Sequence, residues 1–249
     1  NKDNAAWNAG TFDTGKIFIT ESDFVVHPPV GKWVIAAGEQ LFGIANPLGW
    51  RFAMAVLGTL SILMLGRAAR RLFASTYLGT CAALLLAMDG LHFVSSRTGL
   101  LDLVVMFFGL AAFCALLIDR DQGRHQLAAR VAAAGAPGSL GPRLGWRPWR
   151  WVAGVCLGLC IGTKWSGLYF LAVFGLMTVL WDLGARRAVG VRHWWSGTLL
   201  KDAPAAFVAM VPTALVVYLA SWTGWFRSTD GYGRAWALTN PATTTLGRL

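Results

Sequence analysis

Six ionisable side chains are candidates for chemistry because they lie at the edges of long apolar segments. They are the cations His27, Lys32, Arg97 and Lys164 and the carboxylates Asp89 and Asp102. A guanidinium binds phosphate bidentately, a lysine ammonium acts as a compact point charge, and an imidazole gains or loses a proton near neutral pH. Cations of these types that converge on one place suit an anionic ligand.

Residues 25–33 (VVHPPVGKW) carry two of these cations on a stiff turn. Pro28 and Pro29 fix φ and remove two backbone donors, so no helix runs through them, and His27 is driven towards an extended conformation. The turn therefore presents His27 and Lys32 from a rigid loop. The alternative is a simple chain break ahead of a helix whose first turn carries Lys32.

The composition is typical of a membrane protein: of 249 residues, 55% are hydrophobic and 14% are charged. The net charge of +10 raises the possibility of nucleic-acid binding. That function requires basic residues on polar helices with interleaved aromatics, whereas here the basic residues lie between apolar runs. We therefore expect membrane lipid, and no nucleic acid, as a partner.

All four cysteines lie in apolar segments, where cysteine behaves as a small hydrophobic residue: Cys81, Cys114, Cys156 and Cys160. Cys156 and Cys160 are one helical turn apart, but no histidine or further cysteine nearby completes a metal site. The sequence therefore predicts no metal, no disulfide framework and no cofactor.

The predicted fold class is an all-α, polytopic membrane protein. A bilayer core about 30 Å thick needs roughly 20 apolar residues in a helix. Candidate spans occur at about 50–66, 76–94, 99–118, 151–163, 165–181 and 203–222. Ahead of them, residues 33–42 have the spacing of a short amphipathic helix that could lie on the membrane surface. The predicted regions are an outer loop over 1–49, a membrane region over 50–222 and an outer-face segment over 223–249.

Charge predicts the orientation, because basic residues gather in cytoplasmic loops. If the loop at 67–71 is cytoplasmic, alternate crossing also places 119–150 and 182–201 there, and these loops carry 3, 6 and 4 of the 22 basic residues. The His27 turn, Arg97, Lys164 and the C-terminal segment then share the outer face. The tryptophans predicted for that face are typical of an interfacial belt: Trp7, Trp33, Trp222, Trp225 and Trp236.

Each candidate also has a purely structural interpretation. Arg97 could form an ion pair with Asp89 or Asp102 and close a helical hairpin, and Lys164 could extend its ammonium to the membrane surface. For the whole chain, the alternative is a transporter or membrane scaffold without chemistry. Such a protein would favour internally repeated halves, and the sequence shows no such repeat.

Several motifs occur in order along nearly the whole chain: His27–Trp33 (HPPVGKW), 88–93 (MDGLHF), 96–97 (SR), 100–102 (LLD) and 163–169 (TKWSGLY). This pattern resembles the protein O-mannosyltransferase family, and its actinobacterial members most of all. The resemblance implies a multi-span bundle of the glycosyltransferase C class. It also implies transfer of mannose from polyprenyl-phosphate-mannose to Ser or Thr hydroxyls of secreted acceptor proteins. The enzyme would be multi-pass in the bacterial plasma membrane, with its site on the extracytoplasmic face and acceptors arriving near the secretion translocon.

By this resemblance Arg97 would hold the donor phosphate, while His27, Lys32, Asp89, Asp102 and Lys164 would shape or charge-balance the same site. The family's acceptor-activating base is an Asp-Glu pair upstream of the His-Pro-Pro turn, and this sequence contains no such dipeptide. Residues 1–7 resemble the segment that follows the pair. We therefore expect an inactive fragment without the first span, the catalytic pair and the later spans. The alternative enzyme is a related lipid-phosphate-sugar transferase that acts on a glycan or lipid.

Overall fold

A computed structural model of the chain describes residues 26–229 and 231–234. Contacts divide the chain into two units, His27–Trp222 and a second unit formed by Asn1–Val26 with Thr223–Leu249. Regular secondary structure in the described residues is helical throughout. The prediction of an all-α, polytopic membrane protein is confirmed, since four of the described helices are long and apolar enough to cross a membrane.

The His27–Trp222 unit contains nine α-helices and one π-helical segment within its described residues. In chain order they are α1 Val30–Phe42, α2 Pro47–Phe73, α3 Thr76–Met88, α4 Gly90–Ser95, α5 Leu101–Ala134, α6 Pro148–Ile161, α7 Gly167–Ala188, α8 Trp194–Gly197, the π-helix Thr198–Asp202 and α9 Ala203–Ser221. The predicted helix at 33–42 thus exists as part of α1. Each of the six predicted spans overlaps a helix, but α3 and α6, with 13 and 14 residues, are shorter than the four described helices that could cross a membrane.

Helix α5 is central, because it packs against α1 and α2 on one side and against α6 and α7 on the other. Its first turns contact α2 in a small core of Met54, Leu103 and Val104. Further along, α5 joins α6 and α9 in a larger core formed by Ala112, Ala115, Leu116, Ala153, Leu157, Ile161, Met210 and Ala214. Small residues on α5 and α6 bring these helices close together, as is usual for helices packed in a membrane.

Glycines on α6 allow its backbone to approach that of α9 closely. A Cβ atom added at Gly158 would lie 2.7 Å from the Ala214 carbonyl oxygen and 2.6 Å from Val217 Cβ. A Cβ at Gly154 would lie 2.6 Å from the Ala209 carbonyl oxygen. Because these neighbours belong to helix backbone or to a β-branched side chain, they cannot move aside without separating the helices.

We therefore expect Gly158→Val to destabilise the full-length protein by about 1–3 kcal/mol, the usual cost of overpacking. The matched control is Gly175→Val on α7, where an added Cβ meets nothing within 4 Å. Thermal unfolding in detergent, followed by circular dichroism, compares the two variants. An equal decrease in Tm for both would show that the close α6–α9 approach is not what Gly158 provides.

The predicted span at 76–94 is not one continuous helix. Helix α3 ends at Met88, Asp89 has extended backbone with φ −67° and ψ 122°, and α4 begins at Gly90. The 13 residues of α3 rise about 20 Å, less than the thickness of a hydrocarbon core. Hydropathy alone could not show this break, because it is caused by the Asp89 side chain capping the next helix.

Helix α5 extends well beyond the predicted span at 99–118. It continues through the first half of the predicted 119–150 loop to Ala134, and Gly135 with φ 71° ends it. Residues 119–134 are rich in Ala, Arg and Gln, which favour helix as readily as apolar residues do. The irregular connection is therefore 135–147, and the assignment of 119–134 and 148–150 to a loop was wrong as secondary structure.

The described part of the second unit contains one short helix, α10 Thr223–Arg227. Arg234 donates to the Trp225 carbonyl oxygen at 2.6 Å and to the Phe226 carbonyl oxygen at 2.7 Å. The predicted segment 223–249 is thus not loop throughout. Predictions for residues 1–25, 230 and 235–249, including the belt positions Trp7 and Trp236, lie outside the described residues.

Candidate functional site

The His-Pro-Pro turn is fixed to the loop between α6 and α7. Because Pro28 and Pro29 have no N–H, Val30 supplies the first backbone donor after them, and it donates to the Gly162 carbonyl oxygen at 2.9 Å. Pro28 and Val30 are buried. The turn is therefore anchored, but it presents only His27: α1 begins at Val30 and carries Lys32 in its first turn, so the prediction of Lys32 on a rigid loop was wrong and the alternative of a chain break before a helix is confirmed.

The same turn also contacts the start of α5. A Cβ added at Gly31 would lie 2.6 Å from Leu101 Cδ2 and 3.0 Å from Thr163 Cγ2, so the start of α1 packs closely against both residues. The segment before α5 joins the same end of the unit, since a Cβ at Gly99 would lie 3.6 Å from Ile35 Cδ1 on α1. The structure thus gathers the His27 turn, residues 97–102 and the loop with Lys164, as the charge-based topology predicted.

Asp89 has a structural role in this arrangement. Its Oδ1 accepts a hydrogen bond from the His92 N–H at 2.6 Å and caps the N-terminus of α4. His92 is buried, with Nε2 2.8 Å from Ser61 Oγ. The Ser61 hydroxyl donates its one proton to the Gly58 carbonyl oxygen at 2.7 Å, so the imidazole must be the donor to Ser61. This contact joins α4 to α2, and nothing in the sequence pattern indicated it.

Asp102 and Lys164 form an ion pair with each other, with Nζ 2.7 Å from Oδ1. The Asp102 side chain is 68% exposed and the Lys164 side chain 23% exposed. Lys164 therefore links the start of α5 to the α6–α7 loop. Among the described residues, Arg97 forms no ion pair with Asp89 or Asp102, so the alternative of a hairpin closed by Arg97 is not observed.

An exposed ion pair of this kind contributes little to stability, about 0.2–1 kcal/mol. In a double-mutant cycle of Asp102→Asn and Lys164→Gln, we expect a coupling energy within that range, measured by denaturant unfolding of the full-length protein. A coupling above about 2 kcal/mol would mean that the pair is desolvated in the complete protein.

Three cations at this end have no carboxylate within ion-pair distance among the described residues: Arg97, Lys32 and His27. Arg97 is exposed, and its guanidinium lies 4.5 Å from the centre of the Phe93 ring, which leaves its N–H donors available. Lys32 is exposed in the first turn of α1, and His27 is half-buried. Of the six predicted site residues, Arg97 and Lys32 thus offer positive charge to an anionic ligand without a carboxylate partner among the described residues, and His27 offers an imidazole beside them.

A second group of charges, which the sequence did not predict, lies buried at the opposite end of the unit. Arg150 on α6 donates to Asp119 on α5 at 3.0 Å and to Asp182 on α7. Arg186 on α7 binds Asp202 through two hydrogen bonds of 2.5 and 2.9 Å. From Asp102 to Asp119 the α5 axis rises about 25 Å, close to the thickness of a bilayer core.

Arg147 completes this buried charge cluster, with hydrogen bonds of 2.9 Å to both Asp119 and Asp182. Burial lowers the pKa of the Arg147 guanidinium, but Asp182 and Asp119 outweigh it and hold that pKa above its ordinary value. Because this pKa is raised, the guanidinium loses its proton only in strong alkali, and Arg147 stays charged throughout the physiological pH range. The cluster joins three arginines and three aspartates: Arg147, Arg150, Arg186, Asp119, Asp182 and Asp202.

The sequence is similar to known proteins over most of its length. Residues 13–220 match the model of the family described as dolichyl-phosphate-mannose-protein mannosyltransferase. The chain belongs to this family. The family membership predicted from the His-Pro-Pro, Ser-Arg and Leu-Leu-Asp motifs is thereby confirmed.

Curated members of the mannosyltransferase family include polyprenol-phosphate-mannose–protein mannosyltransferases of actinobacteria. The chain is 50% identical over 217 residues to that of Mycolicibacterium smegmatis strain MKD8, covering 84% of this chain and 41% of the relative. It is 46% identical to that of Mycobacterium tuberculosis strain H37Rv (84% and 40%) and 43% identical to that of Corynebacterium glutamicum (82% and 39%). The chain thus spans about two fifths of the length of these relatives. No solved structure matches it.

Proposed function

We propose that the full-length protein transfers mannose from polyprenyl-phosphate-mannose to Ser or Thr hydroxyls of secreted proteins. The observation that carries this proposal is that the segments bearing Arg97, Lys32 and His27 pack together at one end of a membrane-helix bundle, where none of the three has a carboxylate partner among the described residues. The names of the actinobacterial relatives, which specify that donor and a protein acceptor, support it.

The chemistry of the transfer requires two kinds of group. The bond between mannose C1 and the phosphate oxygen breaks, a bond from C1 to the acceptor hydroxyl oxygen forms, and the hydroxyl proton passes to a base. Lipid phosphate departs with the bonding electron pair, so positive charge near the phosphate lowers the barrier. A hydroxyl is a poor nucleophile at neutral pH and needs a carboxylate base.

Arg97 is the residue proposed to hold the donor phosphate, because its exposed guanidinium can bind two phosphate oxygens at once. Lys32 adds positive charge from the first turn of α1, and His27 adds an imidazole from the anchored turn. The Asp102–Lys164 pair shapes the site by holding the start of α5 to the α6–α7 loop, and Asp89 acts through the α4 cap. The base is proposed, by family resemblance, to be the Asp-Glu pair expected upstream of Asn1.

The proposed location is the bacterial plasma membrane, with the site on the extracytoplasmic face and the acceptors met near the secretion translocon. The positive-inside rule supports this orientation, because the segments 67–71, 119–150 and 182–201 at the opposite end carry 13 of the 22 basic residues. We also propose that no metal is required, since the cations can balance the departing phosphate. Transfer by the purified full-length protein should then persist in excess EDTA.

The test is transfer by the full-length protein from mannose-labelled polyprenyl-phosphate-mannose in detergent. A Ser/Thr-rich peptide is one acceptor, the same peptide with every Ser and Thr replaced by alanine is the control, and membrane lipid and glycan extracts are further acceptors. Label on the hydroxyl peptide alone supports protein O-mannosylation. Label only in the lipid or glycan fraction would identify the related transferase, and absence of label everywhere would contradict the enzyme assignment.

A further inference from the structure

A groove of about 610 Å³ lies between α2 and α5, away from the candidate site. It is bounded by Arg67, Arg70 and Arg71 from the last turns of α2 and by apolar or small side chains from both helices. Along α5, Ile118 is about 24 Å from Asp102, so the groove is at the end that carries the buried charge cluster.

The three arginines differ in their partners. Arg71 donates from Nε to Asp121 at 2.6 Å, and Asp121 also accepts from Arg120 at 3.0 Å. Arg67 and Arg70 are exposed and have no carboxylate within ion-pair distance among the described residues. Two positive charges at the rim of the groove are therefore available to an anion.

The floor of the groove is apolar. A free anion has no hydrocarbon part, so it would not need an apolar floor. Met64 on α2 and Leu117 and Ile118 on α5 line it, and Cys114 Sγ lies 3.7 Å from the Met64 carbonyl oxygen. These residues belong to helices that are long and apolar enough to span the membrane. A ligand that fills the whole groove thus has an anionic head beside the arginines and a hydrocarbon chain along the two helices.

We propose that this groove binds an anionic phospholipid, whose phosphate contacts Arg67 and Arg70 and whose acyl chain lies between α2 and α5. Basic side chains between membrane helices, close to the cytoplasmic surface, are well suited to such headgroups. The site differs in position and role from the proposed donor site, because it is at the opposite end of α5 and lacks the anchored His27 turn.

The general preference for basic residues in cytoplasmic loops explains arginines at this level without any bound lipid. The two explanations differ in one measurable respect. A general preference depends on total charge, so every exposed arginine at this end is equivalent. A lipid site depends on position, so Arg67 and Arg70 matter more than exposed arginines elsewhere, such as Arg124 and Arg192.

The experiment is native mass spectrometry of the full-length protein in detergent, titrated with phosphatidylglycerol and, separately, with phosphatidylcholine. Arg67→Gln/Arg70→Gln is compared with the control Arg124→Gln/Arg192→Gln, which loses the same charge. We expect the first pair to weaken phosphatidylglycerol binding about 30-fold, as two basic contacts to an anionic headgroup would. The control should change binding by less than about threefold, and neither pair should alter phosphatidylcholine binding.

Equal weakening by both double variants would overturn the proposal in favour of general charge attraction. Displacement of the lipid by excess sn-glycerol 3-phosphate would overturn it in favour of a free-phosphate site. A photoreactive phosphatidylglycerol provides a test on the unchanged protein if the variants fold poorly. Its adducts are expected within residues 64–71 and 114–118, and adducts confined to other segments would also overturn the proposal.

Discussion

Replacing Arg97 with alanine is expected to reduce mannose transfer by about 10²–10³-fold, the usual loss when one group that stabilises developing negative charge is removed. Arg97 is exposed and makes no ion pair among the described residues, so its loss removes little besides the contact to the Phe93 ring. The measurement is the initial rate of label transfer to the Ser/Thr-rich peptide at saturating acceptor. The unfolding temperature is measured in parallel.

Two further variants show whether the effect belongs to this guanidinium. Arg97→Lys keeps the charge but loses the two-point contact to phosphate, so its rate should lie between those of the parent and Arg97→Ala. Arg192→Ala removes one exposed cation at the other end and should leave the rate unchanged. If Arg97→Ala transfers mannose at the parental rate, the assignment of Arg97 to the donor phosphate is wrong.

Arg150→Met is expected to destabilise the protein by about 3–5 kcal/mol, the cost of leaving buried charge without its partner. Arg150 is 1% exposed and bridges Asp119 and Asp182, so its loss leaves the cluster with three carboxylates and two arginines. Denaturant unfolding of the full-length protein measures the change. The control is Arg71→Met, because Arg71 pairs with Asp121 at the surface, where such a pair contributes about 0–1 kcal/mol.

A charge-balanced variant separates burial of charge from loss of packing. Arg150→Met with Asp119→Leu leaves two arginines and two aspartates, and it should cost clearly less than the sum of the two single changes. Strict additivity of the single changes would show that these two residues act independently. A cost for Arg150→Met no larger than that for Arg71→Met would mean that water reaches the cluster in the complete protein.

Much of the fold follows from hydropathy, because each apolar run predicted as a span forms helix. Two departures arise from features that a hydropathy average does not register. Asp89 divides one predicted span because its carboxylate caps the next helix. Residues 119–134 remain helical although they are charged. Charge marks the point where a helix leaves the membrane, but it does not end the helix.

The candidate site was predictable as a location but not in its internal contacts. Alternate crossing and loop charge placed the turn with His27, residues 97–102 and Lys164 on one face, and the contacts of Val30 and Gly31 join these segments. The sequence could not show that Asp102 pairs with Lys164 while Asp89 caps a helix. Both carboxylates lie at helix ends, and only the packing of the helices decides which partner each one meets.

The buried charge cluster was missed because its arginines are at span ends, where basic residues commonly mark topology. Asp119 and Asp182 were the available signals, since each is an acidic residue at the basic end of an apolar helix. A carboxylate in that position needs a partner, and the surrounding arginines supply it. Pairing between three separate helices, however, depends on tertiary structure.

A structure of the full-length protein with a non-transferable polyprenyl-phosphate-mannose analogue bound in a lipid nanodisc would locate the donor phosphate. We expect the phosphate within hydrogen-bonding distance of the Arg97 guanidinium, beside His27 and the first turn of α1 with Lys32. A phosphate bound instead among the arginines at the far end of α5, or out of reach of Arg97, would contradict this assignment.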